Sequence, residues 1–252
     1  MNGKLMRVSP NVFLAAACFM FAATVRAADI KVMSDSPLAP ALAKVVAAYR
    51  QQTHNHVSLV FDPSPAVKKR IDGGEAADVV IVQPDFADEL TKSGKVSAGD
   101  RPIIARVGVG LGNRKDSPTY DISTVEKFKS TLLGADLLVF NSVKSGEAFE
   151  KVLDRLGIAD ALKPKTVRTT PNGIFEPVLK GKGNDMVAGT IPLIATTPGI
   201  KLLGPLPGEL QSSLSYTAVL MANAPQRNAA QDFIEFLVSS RAKEIFAANG
   251  AE

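Results

Sequence analysis

The chain has 252 residues, 46% of them apolar, with 29 basic and 25 acidic side chains and a single cysteine. That is enough apolar material for a good core, as one large domain or two small ones. A disulfide framework is excluded, and the small charge excess leaves no footprint for nucleic acid.

The order of features at the start is that of a secretory leader over residues 1–27. Lys4 and Arg7 form a basic opening, residues 12–23 are apolar, and Val25-Arg26-Ala27 has the small-x-small cleavage pattern. The apolar part is shorter than a bilayer-spanning helix. The mature chain is expected to begin near Ala28. It loses Lys4, Arg7 and Arg26, which leaves a net charge of about +1, and it loses Cys18, hence all thiol chemistry.

Next come two runs of one design, Ile30-Lys31-Val32-Met33-Ser34-Asp35-Ser36-Pro37-Leu38 and Ser58-Leu59-Val60-Phe61-Asp62-Pro63-Ser64-Pro65-Ala66. Each passes from an apolar strand through a Ser-Pro turn into an amphipathic helix. Serine reads as the N-cap and proline as the first helical residue. Such a turn aims free N–H groups, a hydroxyl and a positive helix end beyond the strand, a recipe for a polar or anionic ligand. Further along, strands are predicted at 57–61, 79–82, 103–111, 137–140 and 217–221. Helices are predicted at 38–51, 66–72, 85–92, 125–132, 146–156, 174–180 and 227–246, and a turn-rich loop at 203–208. The alternation predicts an α/β fold with mostly parallel sheets. The stretch 101–111 is long and carries Arg106, Gly108 and Gly110 in an apolar run. It reads either as a strand passing between two lobes or as a simple edge strand.

The remaining motifs point to no metal and no cofactor. His54 and His56 have alternating spacing but sit between a helix and a strand, where a surface turn is the expectation. Lys68-Lys69-Arg70 reads as a solvated helix face. There is no nucleotide-binding phosphate loop and no nucleophile placed beside a histidine, so no catalytic residue is assigned.

Several segments together resemble periplasmic solute-binding proteins of the molybdate-binding (ModA-like) family. They are the two serine turns, Ile71-Asp72-Gly73-Gly74-Glu75-Ala76-Ala77-Asp78-Val79-Val80-Ile81, and Ile104-Ala105-Arg106-Val107-Gly108-Val109-Gly110. Phe149-Glu150-Lys151-Val152-Leu153-Asp154-Arg155-Leu156-Gly157-Ile158 and Leu203-Gly204-Pro205-Leu206-Pro207 are similar to a divergent branch of that family, described as extracellular solute-binding proteins. The resemblance covers the whole mature chain. It implies a type II periplasmic-binding-protein fold of two lobes joined by two crossing strands. Lobe one would hold 28–106 plus 216–252, and lobe two 107–215. It also implies a periplasmic monomer that closes on a small anion, a molybdate-like oxyanion or an organic acid, and hands it to an inner-membrane ABC permease.

By position, the resemblance assigns ligand contact to Ser34 or Ser36, to Ser64, to Ser145, and to Asn172-Gly173; helix capping is the plainer role for each. Arg106, a charge in an apolar strand, should meet either an internal carboxylate or the ligand. Other features depart from the molybdate-binding pattern. Ala188 stands where those relatives carry a tyrosine, Asp35 and Asp62 add negative charge, and Pro63 and Pro65 remove backbone donors. The family is also similar to bacterial aconitate isomerase. That reading would make the protein an enzyme, with Asp35 or a histidine as base.

Overall fold

The structure, a computed structural model, describes residues 27–252, so the expected leader lies outside the described residues but for Ala27. In chain order the elements are β1 (Asp29–Ser34), α1 (Ala39–Thr53), β2 (His56–Phe61), α2 (Ser64–Asp72), β3 (Val79–Val82), α3 (Pro84–Lys92), β4 (Ile103–Arg114), α4 (Val125–Leu133) and β5 (Leu137–Asn141). There follow α5 (Lys144–Arg155), α6 (Ala159–Leu162), β6 (Thr166–Thr169), α7 (Glu176–Lys180), β7 (Asp185–Thr190), α8 (Ile191–Thr196), β8 (Ile200–Pro205), β9 (Ser213–Leu220), α9 (Arg227–Leu237) and α10 (Ser240–Ala247).

The strands run in the order β2-β1-β3-β9-β4-β7-β5-β6, with β8 also on β4. β1, β2 and β3 are mutually parallel, as are β5, β6 and β7, while the pairs made by β4 and β9 are antiparallel. The continuous Val79-Val80-Ile81-Val82 run follows from burial on both faces. Val79 and Ile81 enter a core with α1, α9 and α10, and Val80 and Val82 enter another with α2 and α3. The β5–β7 side repeats the scheme, with Leu138 and Phe140 on one face and Val139 on the other.

β4 joins the two lobes. Its first half pairs with β9 up to Gly108, and from Val109 on it pairs with β7 and β8. On one face Ala105 and Val107 belong to the first core, and Val109 and Leu111 continue into the second. The chain returns just before β9, where Gln211 Oε1 accepts from the Val109 amide at 3.1 Å. Glycines on the other face of β4 let α8 lie against it. A Cβ at Gly112 would fall 2.6 Å from Ile194, and one at Gly110 would fall 2.9 Å from the Gly204 carbonyl oxygen. The fold is thus the two-lobed α/β architecture of type II periplasmic binding proteins.

Four local expectations need correction. The predicted helix at 227–246 is two helices, divided where the Ser239 side chain caps α10. β8 runs into the predicted 203–208 loop, because β4 offers an unpaired edge beyond Gly110. β6 and β7 were not predicted: Thr166–Thr169 is short and polar, and Gly189 interrupts the apolar run of β7. Finally, the two serines are not N-caps. Asp35 and Pro63 hold those positions, and Ser36 and Ser64 are the first residues of their helical segments.

Candidate functional site

One cavity of about 190 Å³ opens between the lobes. Proline sits in the first turn of five segments that reach it. They are Ser36–Leu38, α2, α3, the single turn Pro171–Gly173, and α8. Proline fixes φ and ends each strand abruptly, so the helix starts converge on the space above the sheet.

On the lobe-one side, Ser64 is fully buried and free of capping duty. Its Oγ donates to Asp35 Oδ2 and accepts from the Gln83 amide at 3.2 Å. Asp35 is 5% exposed, and its main chain is pinned by Asp35 N–H to the Ile81 carbonyl at 2.9 Å and by Ser34 Oγ to its own carbonyl at 3.2 Å. The Ser64 hydroxyl bonds the carboxylate, and the main-chain N–H groups of Ser36 and Ser64 also act on it. Burial dominates these hydrogen bonds and raises the Asp35 pKa to about 6.

Across the cavity, Asn141 builds the lobe-two turn. Its Oδ1 accepts from the amides of Val143 at 3.1 Å and Gly146 at 3.0 Å, and its Nδ2 donates to Ser145 Oγ at 2.9 Å. A side chain at position 146 would collide with the Asn141 carbonyl, so glycine is required there. The Glu147 amide bonds the Val143 carbonyl, which leaves the amides of Lys144 and Ser145 as the orphan donors of α5. At the rim, Lys144 Nζ lies 3.2 Å from Asp85 of α3, an ion pair that spans the two lobes.

Among the described residues, three buried polar groups lining this cavity find no partner: the Tyr216 hydroxyl, the Thr190 hydroxyl and the Gln83 Oε1. Gln83 approaches Tyr216 without completing a hydrogen bond. Burial, and then the nearby Asp35 carboxylate, push the Tyr216 pKa well above the usual tyrosine range, so its hydroxyl stays a donor. Buried polar groups left unpaired are costly, and three around one space mark a place where a guest supplies the partners.

Of the residues assigned from sequence, Ser36, Ser64, Ser145 and Asn172 line the cavity. Ser145 does so with its hydroxyl already engaged by Asn141. Ser34 is fully buried behind Asp35, and Gly173 spends its amide on the Thr170 carbonyl; neither lines the cavity. Arg106 needs correction. It is exposed and off the cavity, because the pleat of β4 turns Ala105 and Val107 into the core and the residue between them outward. Ala188 is buried in the lobe-two core, and Thr190, two residues on, presents a hydroxyl in the cleft. His54 takes a left-handed backbone to end α1, and His56 pairs with Asp29 on the surface at 3.2 Å. Lys68 and Arg70 are engaged in surface ion pairs. Gln83, Asn141, Thr190 and Tyr216 also line the cavity and were not expected there from sequence. Gln83-Pro84 and Thr190-Ile191-Pro192 repeat the strand-end proline signal, whereas Tyr216 carries none.

A two-lobed fold with a polar cleft between the lobes defines the class of solute-binding proteins. The sequence profile of the bacterial extracellular solute-binding proteins matches residues 30–252, and the chain belongs to that family. Among characterised relatives it is 23% identical to an aconitate isomerase of Pseudomonas sp. over 88% of this chain and 86% of that protein. It is 24% identical to the molybdate-binding protein of Azotobacter vinelandii, over 92% of each. Among solved structures, the periplasmic molybdate-binding protein of Azotobacter vinelandii superposes with a TM-score of 0.74 at 18% identity, covering 88% of this chain and 98% of that one.

Proposed function

We propose that this protein is the periplasmic binding component of an ABC uptake system and captures a small anionic solute by hinge closure. Lobe one (28–106 and 216–252) and lobe two (107–215) would move as units about the two crossings, and ligand contacts to both would stabilise the closed form. The observation that carries this reading is the convergence of five proline-started segments, from both lobes, on one cavity with unpaired buried polar groups. The molybdate-binding relative supports an anion, and the buried Asp35 favours an organic acid over a bare oxyanion. The test is a thermal-shift screen of the mature protein against molybdate, sulfate, phosphate and small carboxylates. A ligand that binds only the folded state raises the melting temperature with concentration. Ser64→Ala should weaken the best ligand at least tenfold; an unchanged affinity removes Ser64 from the site.

A second reading is favoured by one observation. A buried carboxylate with a pKa near 6, facing a cleft, is suited to taking a proton from carbon, and the chain is related to an aconitate isomerase. Asp35 would be the base, and Tyr216 would donate to the charge that develops. Interconversion of cis- and trans-aconitate by the mature protein, lost in Asp35→Asn, would establish it; no turnover retires it.

A further inference from the structure

Resting on the binding-cleft reading above, we propose that Asp35 occupies the lobe-one anion hole and thereby selects the ligand. The cleft takes a small carboxylic acid that also carries a hydrogen-bond donor, a hydroxy or amino acid, and rejects tetrahedral oxyanions such as sulfate. The donor end meets Asp35, and the carboxylate end faces lobe two.

The lobe-one turns at Ser36 and Ser64 are aimed at the Asp35 carboxylate. The Ser64 hydroxyl, the one side-chain donor there, is already spent on the carboxylate of Asp35. Three main-chain and side-chain bonds fix the backbone on either side: Asp35 N–H to Ile81, Ser34 Oγ to the Asp35 carbonyl, and Asp62 N–H to the Ser34 carbonyl at 3.1 Å. The carboxylate is therefore a built part of the hole. A dianion entering here would meet a like charge in a place that water barely reaches, where repulsion is strong. A hydroxyl or ammonium meets an acceptor instead.

The opposite wall has the reverse character. It offers the amides of Lys144 and Ser145 and the Thr190 hydroxyl, while the Tyr216 hydroxyl comes from β9 on the Asp35 side. These are donors with nothing to donate to, which suits a carboxylate. Gln83 adds one unpaired Oε1 beside Asp35 and Tyr216. The other titratable groups of the lining are Tyr216, Lys144 and Glu147, and Lys144 is paired with Asp85. Glu147 is the one further negative charge, and it too disfavours a second anionic centre.

The experiment is titration calorimetry of the wild-type mature protein and Asp35→Asn with sulfate, L-lactate and L-serine at pH 8 and pH 5. Asparagine keeps the shape and removes the charge. At pH 8 the wild type should bind lactate or serine and show no heat with sulfate. Asp35→Asn should gain sulfate affinity at least tenfold and lose at least tenfold for the acid. Wild-type affinity for sulfate, which stays doubly charged, should rise from pH 8 to pH 5, and that of the variant should not. Sulfate binding to the wild type at pH 8 as tightly as to the variant overturns the selection by Asp35 and leaves the cleft reading standing. Wild type and variant binding the acid alike overturns it also. Silence of both proteins toward all three probes overturns the cleft reading, and this inference with it.

Discussion

Asp35 ties chemistry to stability. Its pKa lies near 6 in the folded protein against 3.8 for an ordinary aspartate, so between these values the folded chain holds a proton that the unfolded chain has released. Stability therefore falls as pH rises through that window, by about 3 kcal/mol once both states are ionised. Asp35→Asn carries no such penalty. It is expected to be more stable than the wild type at pH 8, by up to about 3 kcal/mol, with the gap closing below pH 4, as read from urea unfolding at several pH values. Tyr216 makes a parallel case. Its hydroxyl is buried without a partner, so Tyr216→Phe should leave stability equal or higher and weaken ligand binding at least fivefold. A stability loss above about 1 kcal/mol would mean that the hydroxyl has a structural partner after all. The two serine turns were conspicuous in sequence, yet the aspartate between Ser34 and Ser36 proved the more informative residue. Composition could not reveal that its neighbour Ser64 gives up capping to hold it.

The lobe-two turn depends on a fit that one methyl group breaks. Gly146 packs so closely on the Asn141 carbonyl that alanine forces β5 and α5 apart. Gly146→Ala is expected to cost at least about 2 kcal/mol and to weaken binding, and a fully stable variant would show that the turn can give. Most strands and helices around the site were legible because their periodicity is strong, as in Val79–Val82, buried on both faces. The crossing nature of 101–111 was half legible. Its length and its two glycines set it apart, whereas the close packing of α8 on those glycines was hidden. Arg106 was misread because alternation along a strand does not tell which face is covered. Tyr216 was illegible because a tyrosine in a strand is ordinary, and its significance comes from what the fold leaves around it.

At the scale of the whole molecule, β4 carries one crossing and the segment entering its antiparallel neighbour β9 carries the other, and the rim pair Lys144–Asp85 reaches over the gap between lobes. Both partners of that pair are nearly half exposed, so solvent screens them. Asp85→Asn should loosen closure by no more than about 1 kcal/mol, read as a less than fivefold loss of affinity that high salt abolishes. A larger effect would make the pair a principal clamp. Asp35 has one more consequence for the molecule as a whole. A ligand that donates to its carboxylate stabilises the ionised form, so loading the cleft near pH 6 expels a fraction of a proton into the medium. Capture is then coupled to acidity. The measured heat of binding will change with the ionisation enthalpy of the buffer, and a more alkaline compartment will favour the loaded state.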